Sequence, residues 1–328
     1  EDLENAVTTL DGIIALPEVQ QRLSETGRRL EVMLGYSDSS KDAGPTSATL
    51  VLHAAQAAIA KWADENNIDL VLMHGRGGGP ANRAVLSQPK GSVNCCFKLT
   101  EQGEVIFARY GDPTLARRHV ESVAGATLLQ SAPSIEWVNT ETMDKFADVA
   151  TALDEASRER YLDLLNTENF PEWFSEVTPL NEIGLMPIGS RPAKRGLGAK
   201  SLDDLRTIPW IFSWSQARSN LAAWYGLGTA CERFGDLDRL REAYAEWPLF
   251  TTFIDNIEMS LSKTDERIAR MYLALAERPD LDEKVLSEME LTRKWVLAIT
   301  GDNWPLEHRR VLGPVIKMRL PFVNVLSI

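Results

Sequence analysis

The segment that most restricts the fold is the short run 68–73, apolar but for Asp69, which empties directly into His74-Gly-Arg-Gly-Gly-Gly. A strand of that composition is buried on both faces, which favours a parallel sheet covered by helices. Upstream, LEVMLGYSDSSKDAG begins at Leu30 as a β-type apolar run and ends in Ser, Asp and Gly, the pattern of a strand that becomes a loop. Between the two, residues 46–66 carry alanine-rich helical periodicity. Strand, loop, helix and strand in that order predict a βαβ unit.

Two more extended pieces are expected, 93–100 before Glu101-Gln-Gly-Glu104 and 184–188 before Gly189-Ser-Arg-Pro192. Polar residues gather just after each strand, as they do at the carboxyl-terminal face of a TIM barrel. The expected class is α/β: a partial (β/α)8 TIM-type barrel, helix-dominated, with many additional helices. Residues 1–29 read as a helical pair in which Pro17 opens the second helix. Further helices are expected over 143–166, 216–232, 237–247, 252–277, 282–299 and 306–318. A length of 328 residues suggests two domains at about 150 residues each. No linker, repeat or low-complexity tract divides the chain, so 1–328 is expected to belong to one large barrel domain without an internal boundary.

Composition excludes several functions. With 35 Lys and Arg against 47 Asp and Glu, the net charge of −12 leaves no broad basic face for nucleic acid. Cys95 and Cys96 are adjacent and Cys231 is far away, which is neither a disulfide framework nor a metal-binding pair. They read as reduced cytosolic thiols, so a cytoplasmic location is expected. No apolar run reaches the ~18 to 20 residues of a membrane-spanning helix, since 221–231 is broken by Gly226 and Gly228. The chain opens on Glu1 without a basic and then apolar leader, so no signal peptide is expected and the start is read as internal to a longer polypeptide.

Three groups carry chemistry. In GYSDSSKD, Asp38 beside Lys41 and Asp42 can hold a hard cation while the ammonium meets an anion. The competing reading is a solvated turn that caps the next helix. In the second group, Gly75 and Gly77 to Gly79 let backbone N–H groups approach an anion, Arg76 adds a forked charge, and His74 can donate or accept. It lacks the lysine of a Walker A loop, and a flexible turn is the alternative. Third, Arg191, Lys194, Arg195 and Arg206 fall within sixteen residues of an acidic chain, which suits phosphate recognition; a surface nucleic-acid patch is the rival. Trp210, Trp214 and Trp224 follow and read as a core stripe.

The strings MLGYSDSSKDAG, HGRGG, LSQPKGS, TEQGEVI, IGSRPAKR, LRTIPWIFSWSQ and MSLSKTDERIARMY, in this order, resemble the C-terminal, catalytic portion of bacterial-type phosphoenolpyruvate carboxylase across essentially the whole chain. The resemblance implies a helix-decorated (β/α)8 barrel, a homotetramer, and carboxylation of phosphoenolpyruvate by bicarbonate with Mg2+ or Mn2+. The products are oxaloacetate and phosphate, by way of carboxyphosphate and an enolate, an anaplerotic fixation of carbon. Position by position, the resemblance makes Asp38 a metal ligand with Lys41 beside it. His74 and Arg76 face the substrate, Arg191 and Arg206 hold phosphate and carboxylate, and Met33 lines the apolar place for CO2. Lys263 and Arg319 match residues that bind aspartate or malate in feedback-inhibited members.

This chain departs from the family pattern in three places. Gly79 is followed directly by Pro80, where the family continues through small residues to a second arginine; Arg83 lies beyond the matching position. The family's second metal carboxylate and its carboxylation histidine belong upstream of Glu1. The tail that completes the effector site belongs downstream of Ile328. The fragment alone is therefore expected to be inactive and to bind the ion weakly. The rival from another class is a non-catalytic assembly or regulatory chain that keeps substrate or effector binding. A different phosphoenolpyruvate-using barrel would not explain TEQGE and IPWIFSWSQ together.

Overall fold

The computed structural model describes residues 2–75, 88–89, 92–93, 98–99, 106, 109–131, 140–186 and 206–328. In chain order the elements are α1 (Ala6–Ile14), α2 (Pro17–Glu25), β1 (Arg29–Gly35), α3 (Ser37–Ala43), α4 (Pro45–Glu65), β2 (Asp69–Gly75), β3 (Lys98–Leu99), α5 (Pro113–Ser131), α6 (Thr140–Lys145), α7 (Ala147–Leu165), α8 (Phe170–Glu176) and α9 (Leu180–Ile183). They continue with α10 (Thr207–Gln216), a 3-10 turn (Leu221–Ala223), α11 (Leu227–Phe234), α12 (Leu237–Glu246), α13 (Pro248–Ser262), α14 (Glu266–Leu273), α15 (Pro279–Thr300) and α16 (Leu312–Val325). The chain divides into two compact units.

The first unit comprises Glu1–Ser37, Ala48–Ala147 and Trp247–Thr252. Its sheet is parallel throughout, in the order β1-β2-β3, with Leu34 opposite His74 and Gly35 opposite Gly75. The expected βαβ unit is present: β1 is followed by α3 and α4 and then β2. Pro17 opens α2 as expected, its fixed φ suiting a first helical turn. Leu52, Ile59 and Trp62 of α4 pack with Leu10, Ile14, Leu23, Leu34, Leu70 and Leu72 into one core. Each such buried side chain contributes about 2 kcal/mol from the surface it hides from water. Trp62 keeps its indole N–H satisfied by donating to Asp11 at 2.7 Å. Phe146, Trp247 and Phe250 stack as a second apolar column.

The second unit comprises Asp38–Ser47, Asp148–Glu246 and Phe253–Ile328, and among the described residues it is built of helices. Trp210 and Trp214 of α10 lie four apart and face Phe174 of α8 at 4.8 and 5.0 Å between ring centroids. Trp224 is also buried, so the expected tryptophan core is borne out, although Trp224 lies outside α10. α11 and α15 approach so closely at Gly228 that a Cβ there would sit 2.5 Å from the backbone nitrogen of Thr292.

The expected helix-dominated α/β class is borne out, with three parallel strands among the described residues. Two expectations need correction. The strand expected over 184–188 is, in its described part, the turn that ends α9, with Gly184 N–H donating to Leu180 O at 2.9 Å. A short apolar run cannot be told from a helix end by periodicity alone. The helix expected over 216–232 is interrupted because Arg218, Asn220 and Gly226 take left-handed backbone conformations, so a 3-10 turn and then α11 replace it.

Candidate active site

In the first unit, the carboxyl ends of β1 and β2 lie side by side, the edge at which parallel sheets bind ligands. His74 is the penultimate residue of β2 and is buried. Its Nδ1 lies 2.6 Å from the hydroxyl oxygen of Tyr36, the residue just after β1. The same hydroxyl accepts a hydrogen bond from Gln56 Nε2 of α4, also at 2.6 Å. Gln56 is itself buried, as is His53 one turn earlier on the same helix. Neither Tyr36 nor Gln56 was singled out by sequence reasoning, although a glutamine within an alanine-rich apolar stripe is a legible signal.

In the second unit, Asp38 occupies the first turn of α3 and its carboxylate is exposed. Its Oδ1 accepts a short hydrogen bond from the hydroxyl of Thr207, the first residue of α10. Arg206 immediately precedes it, so this bond ties the backbone that carries Arg206 to Asp38. Arg206 Nε is buried and has no hydrogen-bond partner among the described residues. Lys41, one turn after Asp38, has a largely covered side chain whose ammonium lies 3.7 Å from Asp42. The loop is anchored from beneath: Tyr161 of α7 donates its hydroxyl to Lys41 O at 2.7 Å, and burial pushes that phenol well above the usual tyrosine range. Gly44, at φ +86°, lets the chain turn from α3 into α4 over the Tyr161 ring, which a Cβ would meet at 2.9 Å.

Other expected site residues divide as follows. Arg76, Arg191, Lys194, Arg195, Cys95 and Cys96 lie outside the described residues. Met33 stands on β1 with 64% of its surface exposed. Lys263 lies between α13 and α14, where burial and the neighbouring Arg218 guanidinium hold its ammonium below the usual lysine range. Arg218 donates to Asn324 of α16 at 3.0 Å, and Asn324 donates to Asp265 at 2.6 Å. Arg319 lies five residues before Asn324 on α16 and is exposed. Cys231 is buried, and burial raises its thiol above the ordinary cysteine value.

One cluster was not anticipated. Asp255 and Glu258 of α13 and His308 each bring a ligand-type atom within 4.8 Å of the others. Arg309 donates to Asp255 Oδ2 and Tyr244 to Oδ1, Leu306 N–H donates to Glu258 Oε1 at 2.8 Å, and His308 Nδ1 pairs with Asp302 at 2.5 Å. A guanidinium already balances the charge of Asp255, so the arrangement reads as a clasp of the segment before α16 onto α13. No described helix is long and apolar enough to cross a membrane.

The model of the family described as phosphoenolpyruvate carboxylase matches residues 1–328. A protein of that name from Nitrosomonas eutropha is 36% identical over 346 residues, covering 100% of this chain and 37% of the relative. The one from Corynebacterium diphtheriae is 37% identical, covering 100% of this chain and 38% of the relative. The one from Paraburkholderia xenovorans is 38% identical, covering 99% of this chain and 35% of the relative. The chain thus spans little more than a third of the length of these curated relatives. With a family match from the first residue to the last, the chain belongs to the phosphoenolpyruvate carboxylase family.

Proposed function

We propose that the native full-length protein carboxylates phosphoenolpyruvate with bicarbonate to give oxaloacetate and phosphate, and that this chain supplies much of the substrate-holding machinery. Arg206 carries the reading. A buried guanidinium N–H without a partner among the described residues costs free energy until an acceptor completes it, and an anionic substrate oxygen is such an acceptor. It stands one residue from the threonine bonded to Asp38, so an anion-holding group and a cation-holding carboxylate are built into one place.

The chemistry needs both. Transfer of the phosphoryl group to a bicarbonate oxygen breaks the P–O bond to the enol oxygen, leaving an enolate and carboxyphosphate. Carboxyphosphate divides into phosphate and CO2, and the enolate methylene carbon forms the new C–C bond. Negative charge develops at each stage, and fixed cations stabilise it without reorganising. Arg206 holds the phosphate or carboxylate, Lys41 adds a positive charge beside Asp38, and His74 meets the substrate from the sheet edge. Arg76 and Arg191 complete the clamp, and Met33 borders the apolar place for CO2. Asp38 offers hard oxygen donors with one oxygen oriented by Thr207, which fits Mg2+ or Mn2+; the ion, when bound, offsets charge on phosphoryl and enolate oxygens. The three parallel strands form part of a larger (β/α)8 barrel in this reading, the assembly is a cytoplasmic homotetramer, and Lys263 with Arg319 receives aspartate or malate.

The test is bicarbonate-dependent oxaloacetate formation by the full-length protein, followed through coupled malate dehydrogenase. Activity is expected, with Arg206→Ala lowering kcat/KM for phosphoenolpyruvate by on the order of 10². A full-length protein that binds phosphoenolpyruvate yet forms no oxaloacetate would overturn this in favour of a non-catalytic chain.

A further inference from the structure

Asp255 and Glu258 stand three residues apart on α13 and so share one face of it. With His308 they bring three ligand-type atoms to within 4.8 Å of one another. The clasp described above satisfies only part of this cluster. Tyr244 and Arg309 donate to Asp255, and Leu306 N–H donates to Glu258 Oε1 at 2.8 Å. Glu258 Oε2, in contrast, has no hydrogen-bond partner among the described residues, although Glu258 is wholly buried. A buried carboxylate oxygen left unpaired is costly. The charged groups acting on it are His308, Asp302 and Asp255, two of them carboxylates, so what the place lacks is a cation.

We infer that Glu258, Asp255 and His308 hold a divalent transition-metal ion of the Zn2+ class, which fastens the segment 302–309 to α13. The donor set points to that class: an imidazole nitrogen together with carboxylate oxygens suits Zn2+, whereas Mg2+ and Ca2+ prefer oxygen alone. Two of the ligands already have outer support. His308 pairs through Nδ1 with Asp302 at 2.5 Å, and a carboxylate on a ligating histidine orients the ring and raises its basicity. Tyr244 and Arg309 serve Asp255 in the same way, since ligating carboxylates are in turn hydrogen-bonded. Zinc donors at about 2.0–2.1 Å from the ion lie about 3.4 Å apart, so the cluster tightens when it binds. His308 is exposed, and turning its ring supplies that movement and leaves the fourth position to water. These ligands include neither Asp38 nor any other residue of the proposed carboxylation site, and the inference does not rest on that reaction.

The experiment is zinc binding by the full-length protein, stripped with chelator and titrated with Zn2+ against a competing chromophoric chelator. One tight equivalent per chain is expected, retained in Asp38→Asn and weakened about a hundredfold in His308→Ala and in Glu258→Gln. Asp302→Asn keeps all three ligands and should weaken binding about tenfold, through the orientation of His308. Zinc should raise the melting temperature of the stripped wild type and leave that of His308→Ala unmoved. X-ray absorption at the zinc edge should show nitrogen and oxygen neighbours at about 2.0–2.1 Å, with the outer scattering of one imidazole. The absence of a tight equivalent in the wild type overturns the inference, and so does one that persists unchanged in His308→Ala. An equivalent lost in Asp38→Asn belongs to Asp38 and overturns it too. If Glu258→Gln fails to fold, His308→Ala carries the test, because it removes an exposed side chain.

Discussion

Thr207 donates its hydroxyl proton to Asp38 across 169 residues of chain. The bond joins the first turn of α3 to the first residue of α10. A carboxylate on a seven-residue helix has few other restraints, so the threonine determines which way one of its oxygens points.

Thr207→Ala should therefore loosen Asp38 and weaken Mn2+ binding by the full-length enzyme about tenfold, whereas Thr207→Ser, which keeps the hydroxyl, should bind nearly as the wild type does. Electron paramagnetic resonance of free Mn2+ measures this without reference to turnover. Equal affinity in the alanine variant would remove the orienting role, and an Asp38→Asn enzyme with undiminished affinity would remove the metal assignment itself.

Gly228→Ala should destabilise the protein by about 1–3 kcal/mol, because the added methyl meets the backbone nitrogen of Thr292 and its hydroxyl, which accepts from Gly228 N–H at 3.1 Å. Gly12→Ala is the contrast: nothing lies within 4 Å of its Cβ position in α1, and a gain of about 0.5–1 kcal/mol is expected from helix propensity. Urea midpoints of the two variants should move in opposite directions. A Gly228→Ala midpoint equal to the wild type would mean that the α11–α15 approach is looser than described.

Glu258 gives a pH dependence. Burial raises its carboxyl above the usual range, opposed in part by the Leu306 N–H. The folded state then binds this proton more tightly than the unfolded chain does. The contribution is fully present below the unfolded value of about 4.3 and is lost as pH rises through the folded one. Glu258→Gln keeps an acceptor for Leu306 N–H without the ionisation. It should melt higher than the wild type at neutral pH, with the difference closing in acid. A glutamine variant that melts lower at neutral pH than the wild type would show that the ionised form is the stabilising one.

Much of this was legible from local pattern. The runs ending at Gly35 and His74 announce β1 and β2 through their apolar content, and the alanine-rich stretch between them announces α4. The break between α13 and α14 was also readable, since Asp265 accepts from the N–H groups of Arg267 and Ile268 as an N-cap in KTDERI, yet periodicity alone runs across it. The interruptions at Arg218 and Asn220 were not readable, because non-glycine residues in left-handed conformations carry no such mark. Site residues followed the same division. Asp38, His74 and Arg206 stand out by type and by place at strand or helix ends. Tyr36, Gln56 and Thr207 become functional candidates only once strand register and helix contacts bring them to their partners.

The fit of Gly44 over Tyr161 also constrains how such a chain can drift. Any side chain at position 44 strikes the tyrosine ring, and shrinking the ring to make room removes the hydroxyl that holds Lys41 O. A change at either position alone is therefore costly, which couples the loop that carries Asp38 to α7, well over a hundred residues downstream.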